Sequence, residues 1–197
     1  VWGPRPRPPE GPVRASRSSL WLPFFFQTSA LEEKPIPLDT SWHVGLLGTL
    51  GRSPSPGLAA LLGVRLRWAA LSVDLELEAQ PPLPSTVKGT TLSVAHVLFG
   101  ASICLRNTSL GACVRTEAGL THAVGSPLDD ASAAITPALA SGLSADWRLL
   151  TREHAYLALK LRALIPIFRT TLKVSGADLW TTPPIHGDLG LCGGMLF

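Results

Sequence analysis

From about residue 41 to Phe197 the chain alternates apolar and polar side chains with a period of two, in segment after segment. In the last segment Ile185, Leu189, Leu191, Met195 and Phe197 share one parity, and His186, Asp188, Gly190, Cys192 and Gly194 share the other. Side chains of a strand point alternately to its two faces, so each such segment reads as a strand between an apolar and a polar surrounding.

Seven segments precede the last. Residues 41–51 set Trp42, Val44, Leu46 and Leu50 against His43, Gly45 and Thr49; residues 58–68 set Leu62, Val64, Leu66 and Trp68 against Gly63, Arg65 and Arg67. Residues 71–80 set Leu71, Val73, Leu75 and Leu77 against Ser72, Asp74, Glu76 and Glu78. Only Ala69 and Ala70 separate the second and third segments, and pairing Trp68 with Leu71 puts Arg65 opposite Asp74, where unlike charges meet. The fourth segment, 89–106, is apolar on both parities, and a bulge is expected near Gly100. Residues 110–124, 132–148 and 154–174 supply three more, the last set reading as one long strand.

The connections alternate too. Short links follow the second, fourth and sixth segments, at 69–70, 107–109 and 150–153. Longer links rich in Pro, Gly and Ser are expected after the first, third, fifth and seventh, at 52–57, 80–88, 124–131 and 174–184. This is the asymmetry of a membrane barrel with short turns on one side and loops on the other.

Composition bears on the surroundings. Charged residues are 16% of the chain, against roughly 25% in soluble proteins. No apolar run is long enough for a spanning helix; residues 20–26 and 164–168 are short and proline-broken. A membrane protein without helices must be a closed barrel, because lipid offers backbone groups no partner. The excess positive charge lies in the first 17 residues, and the remainder is neutral, so no nucleic-acid partner is expected. Residues 1–18, rich in Pro and Arg, read as a disordered linker, and residues 19–40 as an apolar lead-in or an extra strand. No export leader is visible from Val1; if the protein is exported, its leader is expected either to have been removed or to lie upstream.

The reading is therefore an all-β, closed, antiparallel, up-and-down transmembrane barrel of about eight strands over residues 41–197. A soluble lipocalin-like carrier is the rival, and it would turn the apolar face inward around a ligand. Aromatic placement separates the two. Trp42, Trp68, Trp147 and Phe197 all lie on the apolar parity near the short-turn end, the position of an aromatic girdle in lipid. The polar parity would then send Arg65, Arg67, Asp74, Glu76, Glu78, Arg115, Glu117, Asp146, Arg148, Lys160, Arg162 and Asp188 into a lumen too narrow for an open pore.

Cys104 and Cys113 flank the 107–109 turn and can face each other across a hairpin, as a disulfide in an oxidising compartment or as two buried thiols. Cys192 reads as a small interior filler, and Asn107-Thr108-Ser109 as a turn rather than a glycosylation acceptor. His96 with Ser93, and His122, are the candidates for catalysis, but no orienting acid accompanies them, so no enzymatic activity is expected. His43 and His186 fall on the polar faces of the first and last strands; hydrogen bonding within the charge network is expected there rather than a metal pair, and no cofactor is expected. Gly187, Gly190, Gly193 and Gly194 read as relief for crowding in a small barrel.

The terminal Phe, the alternation and the loop asymmetry resemble the small eight-stranded outer-membrane barrels, the OmpA- and OmpX-like group, and more loosely myxobacterial barrels. The resemblance implies a monomer in the outer membrane of a Gram-negative bacterium, in contact with its lipid and inserted by the barrel-assembly machinery. It implies a structural, binding or adhesive role through the outer loops, with a small channel or a lipid-modifying enzyme as the alternatives.

Overall fold

The computed structural model describes residues 38–126, 134–174 and 177–197. The expected linker and most of the lead-in segment lie outside the described residues, as do parts of the loops expected at 124–131 and 174–184. The strands in chain order are β1 (Leu38–Leu50), β2 (Gly57–Trp68), β3 (Leu71–Val87), β4 (Thr90–Arg106), β5 (Leu110–Ser126), β6 (Ala134–Arg152), β7 (Ala155–Pro166), β8 (Thr171–Val174), β9 (Ala177–Thr181) and β10 (His186–Leu196). Eight of them close an antiparallel barrel in the order β1-β10-β7-β6-β5-β4-β3-β2, and β8 and β9 form a separate hairpin.

The register fixes the barrel's shape. Following direct partners from Gly187 through Ala163, Leu143, Val114, Ile103, Val73, Leu66 and Thr40 leads back to β10 at Phe197, whose N–H donates to the Thr40 carbonyl at 3.0 Å. One circuit therefore advances ten residues along the strand. That stagger over eight strands tilts them about 40° from the axis. The twelve steps from Ile185 to Phe197, at about 3.3 Å each and this tilt, rise roughly 30 Å, the thickness of a bilayer's hydrocarbon.

Between its two rims the outward parity of the barrel wall carries no ionisable side chain: Trp42 to Leu50 on β1, Leu58 to Trp68 on β2, Leu71 to Ala79 on β3, Val97 to Leu105 on β4, Leu110 to Leu120 on β5, Ile135 to Trp147 on β6, Ala155 to Ile165 on β7 and Gly187 to Met195 on β10 are apolar or small. His122 and Arg152 lie on this parity only beyond those spans. Its two hydroxyls, Thr116 and Ser141, bond each other at 3.3 Å, and Ser141 also donates to the Arg115 carbonyl. Inside, charged and polar side chains dominate the buried rows, beside a small apolar cluster of Leu47, Ala59, Leu61 and Cys192, so the charge lies on the side opposite to that of a soluble barrel.

Several segments differ from the sequence reading. Residues 80–87 are strand rather than loop: β3 continues to Val87 and turns to β4 through Lys88 and Gly89, both at positive φ. The bulge expected near Gly100 is instead in β3, where the register shifts between Gln80 and Leu83 across Pro81 and Pro82. Pro81 and Pro82 together oppose Ala95, and this one extra residue exchanges the faces, so that Leu83 and Val87 lie on the same side as the inward Val94 and Leu92. Gly100 sits in regular strand, and a Cβ on it would meet the Arg115 guanidinium. The segment 154–174 is two elements, because Pro166 ends β7 before the β8–β9 hairpin. A second bulge, between Arg148 and Leu150, carries β6 on to Arg152 and leaves Glu153 and His154 as the turn.

The upper parts of β3, β4 and β5 rise past the barrel as a flap. Its inner face, Leu92, Val94 and Ala123, packs against Leu172 of the β8–β9 hairpin, with Val87, Leu179 and Trp180 around them. At the opposite end Cys104 and Cys113 are direct cross-strand partners and form a disulfide, with Cα atoms 4.0 Å apart.

Candidate functional site: the charged lumen

The interior is built mainly from strand parity, which sets inward ionisable side chains of neighbouring strands at matching levels, with one further cation from a loop. Nearest the short turns, Arg65 lies opposite Asp74 and grips it with two parallel bonds of 2.9 and 2.8 Å. Arg106 donates to Asp74 at 3.0 Å, to Ser72 at 2.7 Å and to Asp146, which also lies 3.6 Å from Arg65. This layer holds two arginines and two aspartates and is neutral.

Above it Glu76 is the hub. It accepts from Lys160 and Arg115, from Arg162 at 2.7 Å, and lies 3.0 Å from His43 Nε2. Arg162 reaches Glu78 at 2.6 Å and Asp188 at 3.5 Å. Arg52 enters from the β1–β2 loop and takes Asp188 at 3.0 and 2.5 Å, Glu117 at 3.1 Å and Glu78 at 3.2 Å. Glu117 also meets Arg115 at 3.5 Å and His186 at 3.4 Å. Burial opposes the Arg52 charge, but the Glu117, Asp188 and Glu78 carboxylates outweigh it and raise its pKa further above the ordinary range.

The paired groups are Arg52, Arg65, Arg106, Arg115, Lys160 and Arg162 against Asp74, Glu76, Glu78, Glu117, Asp146 and Asp188. Every one is buried, with Glu76 and Arg115 each 1% exposed. Space for these long side chains comes from inward glycines on neighbouring strands: a Cβ at Gly63 would strike His43 and Glu76, at Gly111 Arg106, and at Gly194 the Tyr156 ring. Gly190 is held as closely by β1 backbone, whereas the outward Gly193 has room for a side chain.

Two members of the sequence-based set stand apart. Arg67 donates to the Ala69 carbonyl at 2.8 Å, Arg148 lies over the Tyr156 ring at 4.9 Å, and among the described residues neither has an ion pair. Their places in the network belong to Arg52 and Arg106. Arg106 ends the strand whose parity is ambiguous in sequence, and its signal was its even spacing from Cys104. Arg52 lies in a Pro- and Ser-rich loop, where no periodicity points inward. Counting charge gives no warning, because two cations replace two.

Wherever the structure describes them, Trp42, Trp68, Trp147 and Phe197 point outward; Trp68 closes β2, while Trp42 and Trp147 lie four and five residues inside their strand ends. Parity also separates the catalytic candidates. His96 points inward and bonds Thr121 at 2.8 Å, whereas Ser93 and His122 lie on the outward parity. His43 pairs across β10 with Gly194, eight residues along the strand from His186, so the two histidines occupy different levels and bond Glu76 and Glu117 separately.

No protein-family model and no curated sequence matches the chain. Solved structures do. Neisserial surface protein A superposes with a TM-score of 0.50 at 10% identity, covering 81% of this chain and 97% of that one. Ail, the attachment invasion locus protein of Yersinia pestis, in complex with the heparin analogue sucrose octasulfate, gives 0.54 at 12% identity over 81% of this chain and 99% of Ail. The chain has the fold of the small outer-membrane β-barrels. In an outer-membrane barrel fold the apolar wall faces hydrocarbon and the polar row faces the lumen, which is the orientation seen here and the reverse of a lipocalin-like carrier.

Proposed function

We propose that this protein is an integral barrel of a Gram-negative outer membrane, with a lumen closed to solutes and a structural or adhesive role carried by the end opposite the short turns. The observation that carries the reading is the neutral set of ion pairs spanning an eight-stranded interior from the Arg65–Asp74 layer to Arg52. Each charge there has lost its water and is held by partners on other strands, so opening a path means separating buried charges, at several kcal/mol per ion. The outer flap supports the second half. Among the described residues no strand pairs with residues 80–87 on the β2 side, and Pro81, Pro82 and Pro84 remove N–H donors from that edge. An outer surface protected in this way suits contact through side chains rather than strand addition, and the name of the Yersinia protein is in keeping with an attachment role. The full chain reconstituted into planar bilayers is expected to leave the baseline conductance unchanged, whereas steady single-channel openings would overturn the closed lumen.

A further inference from the structure

The lumen's charge matching fails at one place. Where the barrel meets the short-turn rim there is a cleft of about 250 Å3 lined by Arg65, Arg67, Arg148, Ser41 and Asp39, with the terminal Phe197 at its edge. Arg65 is already matched by Asp74. Arg67 and Arg148 bring two further guanidinium groups against the single carboxylate of Asp39, the cross-strand partner of Arg67, and neither lies within ion-pair distance of an acid among the described residues. The Tyr156 ring carries Arg65 at 5.8 Å and Arg148 at 4.9 Å, so two cations share one aromatic face pair. Arg65 is 2% exposed, yet its Nη1 has no hydrogen-bond partner.

Like charges gathered this way repel unless an anion joins them, and planar guanidinium forks match phosphate oxygens in pairs. The three arginines stand on the inward rows, so the cleft opens at the mouth of the barrel, and at its edge Phe197 lies on the outward row shared with Trp42, whose aromatic side chains sit at headgroup level. We infer that this cleft binds the phosphate of an anionic phospholipid from the leaflet at the short-turn rim, held by Arg65, Arg67 and Arg148. The inference rests on the membrane-barrel reading.

The test uses the full chain refolded in maltoside micelles, which contain no phosphate, and titrated by calorimetry with dihexanoylphosphatidylglycerol and, separately, with inorganic phosphate. Wild type is expected to bind the lipid, and R67Q/R148Q to bind it at least about ten-fold more weakly. Without lipid the double variant is expected to unfold in urea near the wild-type midpoint, since relief of repulsion offsets the lost Arg67–Ala69 bond and Arg148–Tyr156 contact and no ion pair is lost; R67Q alone, at a half-buried position, gives a partial loss of binding. Equal lipid affinity of wild type and R67Q/R148Q, or no binding by a folded wild type, would overturn the inference. Inorganic phosphate binding as tightly as the lipid would overturn the lipid assignment. A preparation lacking the heat-dependent gel shift of a folded barrel would count against the barrel itself and not against the cleft.

Discussion

The Arg65–Asp74 pair shows what a single lumen residue does here. Both side chains are about 2% exposed and bond twice, so each is costly alone and inexpensive together. Arg65→Ala leaves Asp74 with Arg106 and is expected to lower stability by about 3–5 kcal/mol, the usual cost of breaking a buried pair. Arg65→Ala combined with Asp74→Ala is expected to cost less than Arg65→Ala, because Arg106 keeps Asp146 and no charge is stranded. Urea midpoints read from the heat-dependent gel shift measure both, and a double variant weaker than either single one would contradict the account. Residues such as Arg65, Asp74 and Glu76 were legible in sequence because they fall on a clean parity beside apolar neighbours. Arg52 and Arg106 were not, since one acts from a loop that folds back and the other from a strand apolar on both faces. That double apolarity itself has a cause: Leu92, Val94 and Leu98 of β4 point inward, the first two into the flap core.

The hairpin elements divide in the same way. The Ala69-Ala70 and Asn107-Thr108-Ser109 turns were legible because two strand patterns abut with nothing else between them, and Asn107 caps its turn by accepting from the N–H groups of Ser109 and Leu110. Three prolines concealed the continuation of β3, which is tolerated because residues 80–87 form an edge with one neighbour only. The β8–β9 hairpin was hidden for a different reason: its pattern continues that of β7, and only Pro166 marks the break. Trp180 and Leu172 anchor that hairpin on the flap. Trp180→Ala is expected to loosen the flap and leave the barrel, so limited proteolysis should cut near Lys88 and Gly89 faster while the heat-dependent shift persists. Loss of the shift in Trp180→Ala would mean that the hairpin holds the barrel and not only its cap.

For the whole molecule, the contrast between the outward and inward rows of the barrel strands, blurred only in β4 and its neighbours near the flap, decides the solvent. The outward row exposes Leu105, Val114, Leu143 and Ile165, each about 60% or more accessible, without an ionisable group among them. Such a surface is costly in water at about 25 cal/mol per Å2, and it is unopposed in hydrocarbon. The inner row needs the reverse, and its six buried cations and six buried carboxylates balance one another. The number of strands and their order follow from the alternation and the link lengths, while the identity of any surface partner does not, because no periodicity encodes a loop's contacts. The measurement that bears most directly on this account is membrane fractionation of the expressed full chain, with each fraction run on a denaturing gel before and after boiling. The account predicts recovery in the outer membrane with a band that shifts on boiling; recovery in the soluble periplasm with a band that does not shift would contradict it.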